Sequence, residues 1–223
     1  MRHRGGRVEL VQALLDVVLH LDVHLFELTR DHGAWVYAIL FLIVFSETGF
    51  VVTPFLPGDS LLFVAGAVAA KGGMDVIVLM AFLLIAAIAG NQLNFAIARW
   101  LGPLIMASPR GARILKPEHV ARTQAFFERH GGKTIVLSRF VPIVRTYAPF
   151  VAGLGGMRLG RFAAYNVLGA LAWIVSLVVA GYFFGNLPII RENLTVVVLG
   201  IVVLSVLPAA IEVIRARVAA HKG

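Results

Sequence analysis

Glu47-Thr48-Gly49-Phe50-Val51-Val52-Thr53-Pro54-Phe55-Leu56-Pro57-Gly58-Asp59-Ser60 divides two apolar runs, 34–46 and 60–70. Neither run reaches the ~20 residues a helix needs to cross a hydrocarbon core. Proline inside such a run removes a backbone donor and breaks the helix, so Pro54, Pro57 and Gly58 are read as break positions. Irregular backbone at membrane depth is tolerated only where it is buried in protein or lines a wet cavity. The stretch therefore reads as a broken helix or re-entrant hairpin. Hydropathy does not separate that from a kinked span.

A second segment repeats the pattern. In 134–155, Ser138-Arg139-Phe140-Val141-Pro142-Ile143-Val144-Arg145 sets two arginines around a proline, with Pro149 and Gly153 beyond it. Phe63-Val64-Ala65-Gly66 recurs as Phe150-Val151-Ala152-Gly153, each copy closing a broken segment and each followed by a methionine (Met74, Met157) and a span. Two halves of this kind, meeting through discontinuous helices, are a common transporter plan. Gly66 and Gly153 join Pro142 and Pro149 as expected hinge positions. In this register Asp59 corresponds to Thr146, beside Arg145, so the polar elbows of the two halves match, one acidic and one basic.

The remaining chain fits around these halves. Residues 76–98 carry no charge and can span, as can 162–185 and 194–211. A basic loop at about 99–133 and the tail with Arg215, Arg217 and Lys222 are placed in the cytoplasm by the positive-inside rule. Pro117 and Gly131-Gly132 bracket a short helix in that loop. In 8–28, Glu9, Gln12, Asp16, His20, His24 and Glu27 form a polar stripe, which reads as an N-terminal amphipathic helix on the membrane or on the bundle. Those acids, with no small-residue cleavage site after them, argue against a cleaved signal behind Arg2, Arg4 and Arg7. The expected organisation is 1–30 amphipathic helix, 31–190 membrane domain, and 191–223 a terminal span with a basic tail.

Composition agrees. Hydrophobic residues are 59% of the chain and charged residues 14%, too little polar material to coat a soluble globule. The net charge of +8 lies between apolar spans, which suits anionic headgroups rather than nucleic acid. The absence of cysteine excludes disulfides, thiolate metal sites and thiol catalysis. No P-loop, HExxH or GxSxG is present and no histidine cluster lies in a span, so neither an enzyme nor a metal or cofactor is expected.

Four ionisable residues lie in apolar segments: Glu47, Asp59, Arg139 and Arg145. Each would cost about 2.5–3.5 kcal/mol facing lipid at a helix centre. Such groups face a cavity, pair with one another and mark substrate or ion paths. Arg139 and Arg145 are six residues apart, roughly 120° on an unbroken helix, and a bend at Pro142 would let them converge. Their planar forks suit phosphate. Ionised Glu47 and Asp59 would repel the same anion, and a proton on either would remove that repulsion, which gives a route to proton coupling and gating. On that reading Glu47→Gln should abolish pH-dependent activity. Salt bridges that merely hold two hairpins together are the structural alternative. Asn91 and Asn94 are expected to bond across helices, and Trp173 and Tyr182 to serve in packing or as interface anchors.

At these residues the chain resembles the DedA family, also called the SNARE-associated or VTT-domain family. The resemblance rests on Glu47, on Pro54 through Leu62 with Ala65-Gly66, on Gly90 through Asn94 with Arg99 and Gly102, and on His130-Gly131-Gly132. It continues through Ser138–Thr146 with Ala152-Gly153, then Phe162, Asn166, Gly169, Trp173, Gly181-Tyr182 and Gly185, covering roughly 34–186. Asn91 stands where the family often has Asp. The resemblance implies a multi-pass bacterial inner-membrane protein with two re-entrant hairpins meeting from opposite sides. It implies recycling of the carrier lipid undecaprenyl phosphate, proton-motive-force-dependent transport, or phospholipid scrambling as in eukaryotic relatives. The family's membrane acids match Glu47 and Asp59, and its essential arginines match Arg139 and Arg145.

The resulting expectation is an all-α integral membrane protein with two broken or re-entrant hairpins, transmembrane helices and an internal, inverted repeat. It would move a polyprenyl phosphate or phospholipid, its partners being membrane lipids, and room is left for a homo-oligomer. The rivals are a proton-coupled antiporter of small cations or drugs, with the acids as substrate site, and a non-transporting membrane scaffold.

Overall fold

The two apolar runs that flank Glu47 and Asp59 become two separate short helices. The structure, a computed structural model, describes residues 21–50, 58–107, 131–191, 196–197 and 199–200. Helix α1 is Leu21–His32, α2 Trp35–Gly49, α3 Gly58–Ala70 and α4 Val76–Ala107. After the next described stretch begins come α5 Lys133–Ser138, α6 Pro142–Leu154, α7 Leu159–Phe184 and the single turn α8 Pro188–Arg191. There is no strand among the described residues. Pro54 and Pro57, the helix expected after Pro117 and the span at 194–211 lie wholly or mainly outside them.

Local chemistry sets the boundaries. Asp75 starts α4, its Oδ1 accepting hydrogen bonds from the Ile77 and Val78 amides at 2.8 and 2.9 Å. A proline disfavours helical backbone in the residue before it. Val141 is accordingly extended (φ −119°, ψ 104°), and Pro142 opens α6, where a missing N–H costs nothing. Two sequence expectations change. Pro149 does not break its segment: α6 runs through it to Leu154, so Pro142 alone makes the break. Helix α4 continues past residue 98 because Trp100 to Ala107 stay largely apolar, and Arg99 reaches the Met157 carbonyl at 2.9 Å.

Among the described residues, only α4 and α7 are long and apolar enough to cross a bilayer. With 15 and 13 residues, α2 and α3 reach only about 20 Å each. Each short first arm packs on the long helix of its own half, α2 on α4 and α5 on α7. Each second arm packs on the long helix of the other half, α3 on α7 and α6 on α4. The repeated tetrapeptides make these exchanged contacts. Gly66 lies against the Val178 carbonyl of α7, and Gly153 against the Phe95 carbonyl of α4. Both glycines were expected as hinges; both instead lie inside unbroken helices and let backbones approach where a Cβ has no room.

The interior is apolar around Leu40, Val44, Leu62, Leu83, Ile174 and Val178, and a smaller cluster forms where Phe95 stacks on Phe162 at 4.2 Å. Helix α1 seals one side by burying Leu25 against α2 and α3. Outward faces are also apolar: Trp35, Ile77, Phe82, Ile85, Trp100, Leu168 and Phe183 are exposed. So much exposed apolar surface suits lipid rather than water.

Candidate functional site

The four ionisable residues come from four places in the fold. Glu47 is near the end of α2, Asp59 in the first turn of α3, Arg139 just after α5 and Arg145 in the first turn of α6. The α5–α6 break at Pro142 turns the chain between the two arginines. Instead of diverging as on a straight helix, both guanidiniums lie over the ring of Trp173, their carbons 5.8 Å (Arg139) and 4.9 Å (Arg145) from its centroid.

Arg145 is doubly paired. One terminal nitrogen donates to Glu47 Oε1 and the other to Asp59 Oδ1 at 2.6 Å. Trp173 Nε1 donates to the same Asp59 oxygen at 2.8 Å. A buried ion pair holds only when its partners are close and further hydrogen bonds satisfy the charges, and Trp173 supplies one of these.

Arg139 is held differently. It is 2% exposed, and its Nη2 donates to Asn166 Oδ1 at 2.6 Å and to the Ala87 carbonyl at 3.2 Å. No carboxylate lies within ion-pair distance of it among the described residues. Its Nε, like Glu47 Oε2, is buried with no hydrogen-bond partner among them. Asn166 also donates to the Ile88 carbonyl at 3.0 Å, tying α7 and the arginine to α4. Of the two arginines, it is Arg145 that pairs with Asp59. Glycines make room here too. Gly58 lies against the Glu47 carboxylate, and a Cβ on Gly169 would come within 3.0 Å of Arg139 Cδ.

Asn94, expected to bond across helices, does so, its Nδ2 donating to the Thr48 carbonyl at 3.3 Å. Trp173 was read as packing or an interface anchor; it does pack in the core, at 1% exposure, and it also touches the charge cluster. Asn166 was seen only as part of a resemblance. Both could have been found from spacing, since Asn166, Gly169, Ala170 and Trp173 fall at i, i+3, i+4 and i+7 on one face of an otherwise aliphatic helix.

Residues 56–183 match the VTT domain family. The chain is 53% identical over 217 residues to "Protein DedA" of Escherichia coli K12, covering 96% of this chain and 99% of that one. The chain belongs to the DedA family. An uncharacterised membrane protein of Mycobacterium leprae is 41% identical to this DedA-family chain over 170 residues, 76% of each. The inner membrane protein YghB of E. coli K12 is 34% identical over 180 residues, 80% of this chain and 82% of that one. No solved structure matches. As a DedA-family member with a helical, apolar-surfaced fold, the protein is a multi-pass protein of the bacterial inner membrane.

Proposed function

We propose that this DedA-family protein moves an anionic lipid headgroup across the inner membrane, with undecaprenyl phosphate as first choice and a phospholipid as the alternative. In this reading Arg139 and Arg145 take the phosphate, while Glu47 and Asp59 yield Arg145 to it and couple the step to protons. The acyl or prenyl chain stays in lipid while the headgroup crosses. The observation that carries the proposal is Arg139, a guanidinium buried among apolar helices and held by amide and carbonyl oxygens, with no carboxylate beside it among the described residues. A buried charge without a counter-ion is costly, and intramembrane charges mark substrate paths. A phosphate would supply the missing counter-charge through two parallel hydrogen bonds.

The two broken segments are read as re-entrant hairpins entering from opposite sides of the membrane, related by an inverted repeat. The exchange of second arms between the long helices supports this, as does the position of the charges near the middle of α7 and at the broken ends of short helices.

The test is binding of a short-chain polyprenyl phosphate to purified protein by native mass spectrometry, with the uncharged polyprenol as control. Wild type is expected to bind the phosphate saturably, and Arg139→Met to lose at least about tenfold in affinity, the scale of a charge-assisted hydrogen bond. Arg139→Met should remain folded, because losing a donor to Asn166 is offset by removing an unpaired buried charge. Equal binding by both proteins, or none by either, would favour antiport of a small cation at Glu47 and Asp59.

A further inference from the structure

We infer that Trp173 is the positioning residue of this charge cluster, setting where the two arginines sit relative to each other and holding Asp59 when an anion takes Arg145 from it. The inference rests on the anionic-headgroup reading above. Two guanidiniums of like charge repel in a low-dielectric interior, yet both lie over one indole, at 5.8 and 4.9 Å. The negative face of an indole attracts such cations, most strongly when they are desolvated, and here both are buried.

The edge of the same ring does a second job. Its N–H donates to Asp59 Oδ1, the oxygen that also takes Arg145. Trp173 thereby leaves Asp59 a hydrogen-bond partner when an incoming anion takes Arg145, which lowers the cost of that exchange. The indole is itself rigidly placed. It lies on α7, whose position is set by the close Gly66 and Gly181 contacts with α3 and by the Asn166 link to α4. One side chain of a long helix thus registers groups from the other half (Asp59) and from its own (Arg139, Arg145).

Two substitutions separate the ring's jobs. Trp173→Phe keeps an aromatic face and loses the N–H; Trp173→Leu loses both. In the full-length protein, affinity for a short-chain polyprenyl phosphate should fall about tenfold to a hundredfold in Trp173→Phe and further in Trp173→Leu, with both folded by circular dichroism. A spectroscopic arm reads the contacts directly. With Trp35→Phe and Trp100→Phe, both exposed in the native chain, Trp173 is the sole indole. Its emission should shift on saturation with the phosphate and stay constant with the polyprenol. Without ligand, the emission should shift on adding Asp59→Asn, which removes the ionic acceptor of the indole N–H.

Wild-type affinity in folded Trp173→Leu, or unchanged emission in both the ligand and Asp59→Asn arms, would overturn the positioning role. If the wild type binds no phosphate, the headgroup reading fails, and the ligand-free arm alone then decides whether Trp173 holds Asp59. If Trp173→Leu does not fold, Trp173→Phe and the emission arms decide.

Discussion

Arg145→Met is expected to lower stability by about 3–5 kcal/mol, the cost of removing one partner from a buried ionic group. The substitution would take the Arg145 charge from two carboxylates: Glu47, at 1% exposure, and Asp59, which also accepts from the Trp173 N–H. The melting midpoint in detergent should drop sharply. Adding Glu47→Gln and Asp59→Asn should recover most of the loss, because an amide can sit where a stranded carboxylate cannot. A lone Arg145→Met that melts like wild type would show that the three groups do not stabilise the fold as a unit. The contrast with Arg139→Met is diagnostic. One arginine neutralises acids and the other has none beside it among the described residues, so loss of the first should be read in stability as well as binding, and loss of the second in binding.

The second large effect lies away from the charges. Gly66→Val and Gly181→Val are each expected to abolish the folded protein, and even alanine should destabilise it. A Cβ on Gly66 meets the Val178 carbonyl and comes 3.0 Å from the Tyr182 amide. A Cβ on Gly181 meets the Phe63 carbonyl and lies 2.7 Å from its carbon. The obstacles are backbone atoms of helices, so no rotamer change relieves them and α3 must move off α7. Overpacking of an ordinary core costs about 1–3 kcal/mol; here the displaced element also carries Asp59. Gly160→Ala is the control, since nothing lies within 4 Å of a Cβ there. It should fold and express as wild type, while the other two show loss of the monodisperse species in size-exclusion chromatography. Normal folding of Gly66→Val would show that α3 and α7 need not touch.

These effects differ in how visible their causes are in the chain. Proline at 142 announces its break, because the restriction it places on Val141 is local and independent of neighbours. Glu47, Asp59, Arg139 and Arg145 announce themselves because a charge in an apolar run is expensive wherever the helix faces. Pro149 misled for the opposite reason: a helix packed on α4 can tolerate one lost backbone hydrogen bond, and packing is not written in the local sequence. Gly66 and Gly153 were conspicuous as a repeat, yet hinge and close contact leave the same residue in the chain. Spacing puts Asn166 and Trp173 on one face of α7, but which partners that face meets depends on how α7 is rotated in the fold.

The sequence by itself determined that this is a helical membrane protein with two broken segments and four costly charges, since chain length, hydropathy and proline act through local backbone geometry and transfer energy. Tertiary structure decided which charges pair. Arg145 takes both acids, Arg139 takes Asn166 and backbone oxygens of α4 and α7, and Trp173 lies beneath both. Partner choice follows from distances between residues 27 to 114 positions apart in the chain, and those distances are set by the close packing of α3 on α7 and α6 on α4.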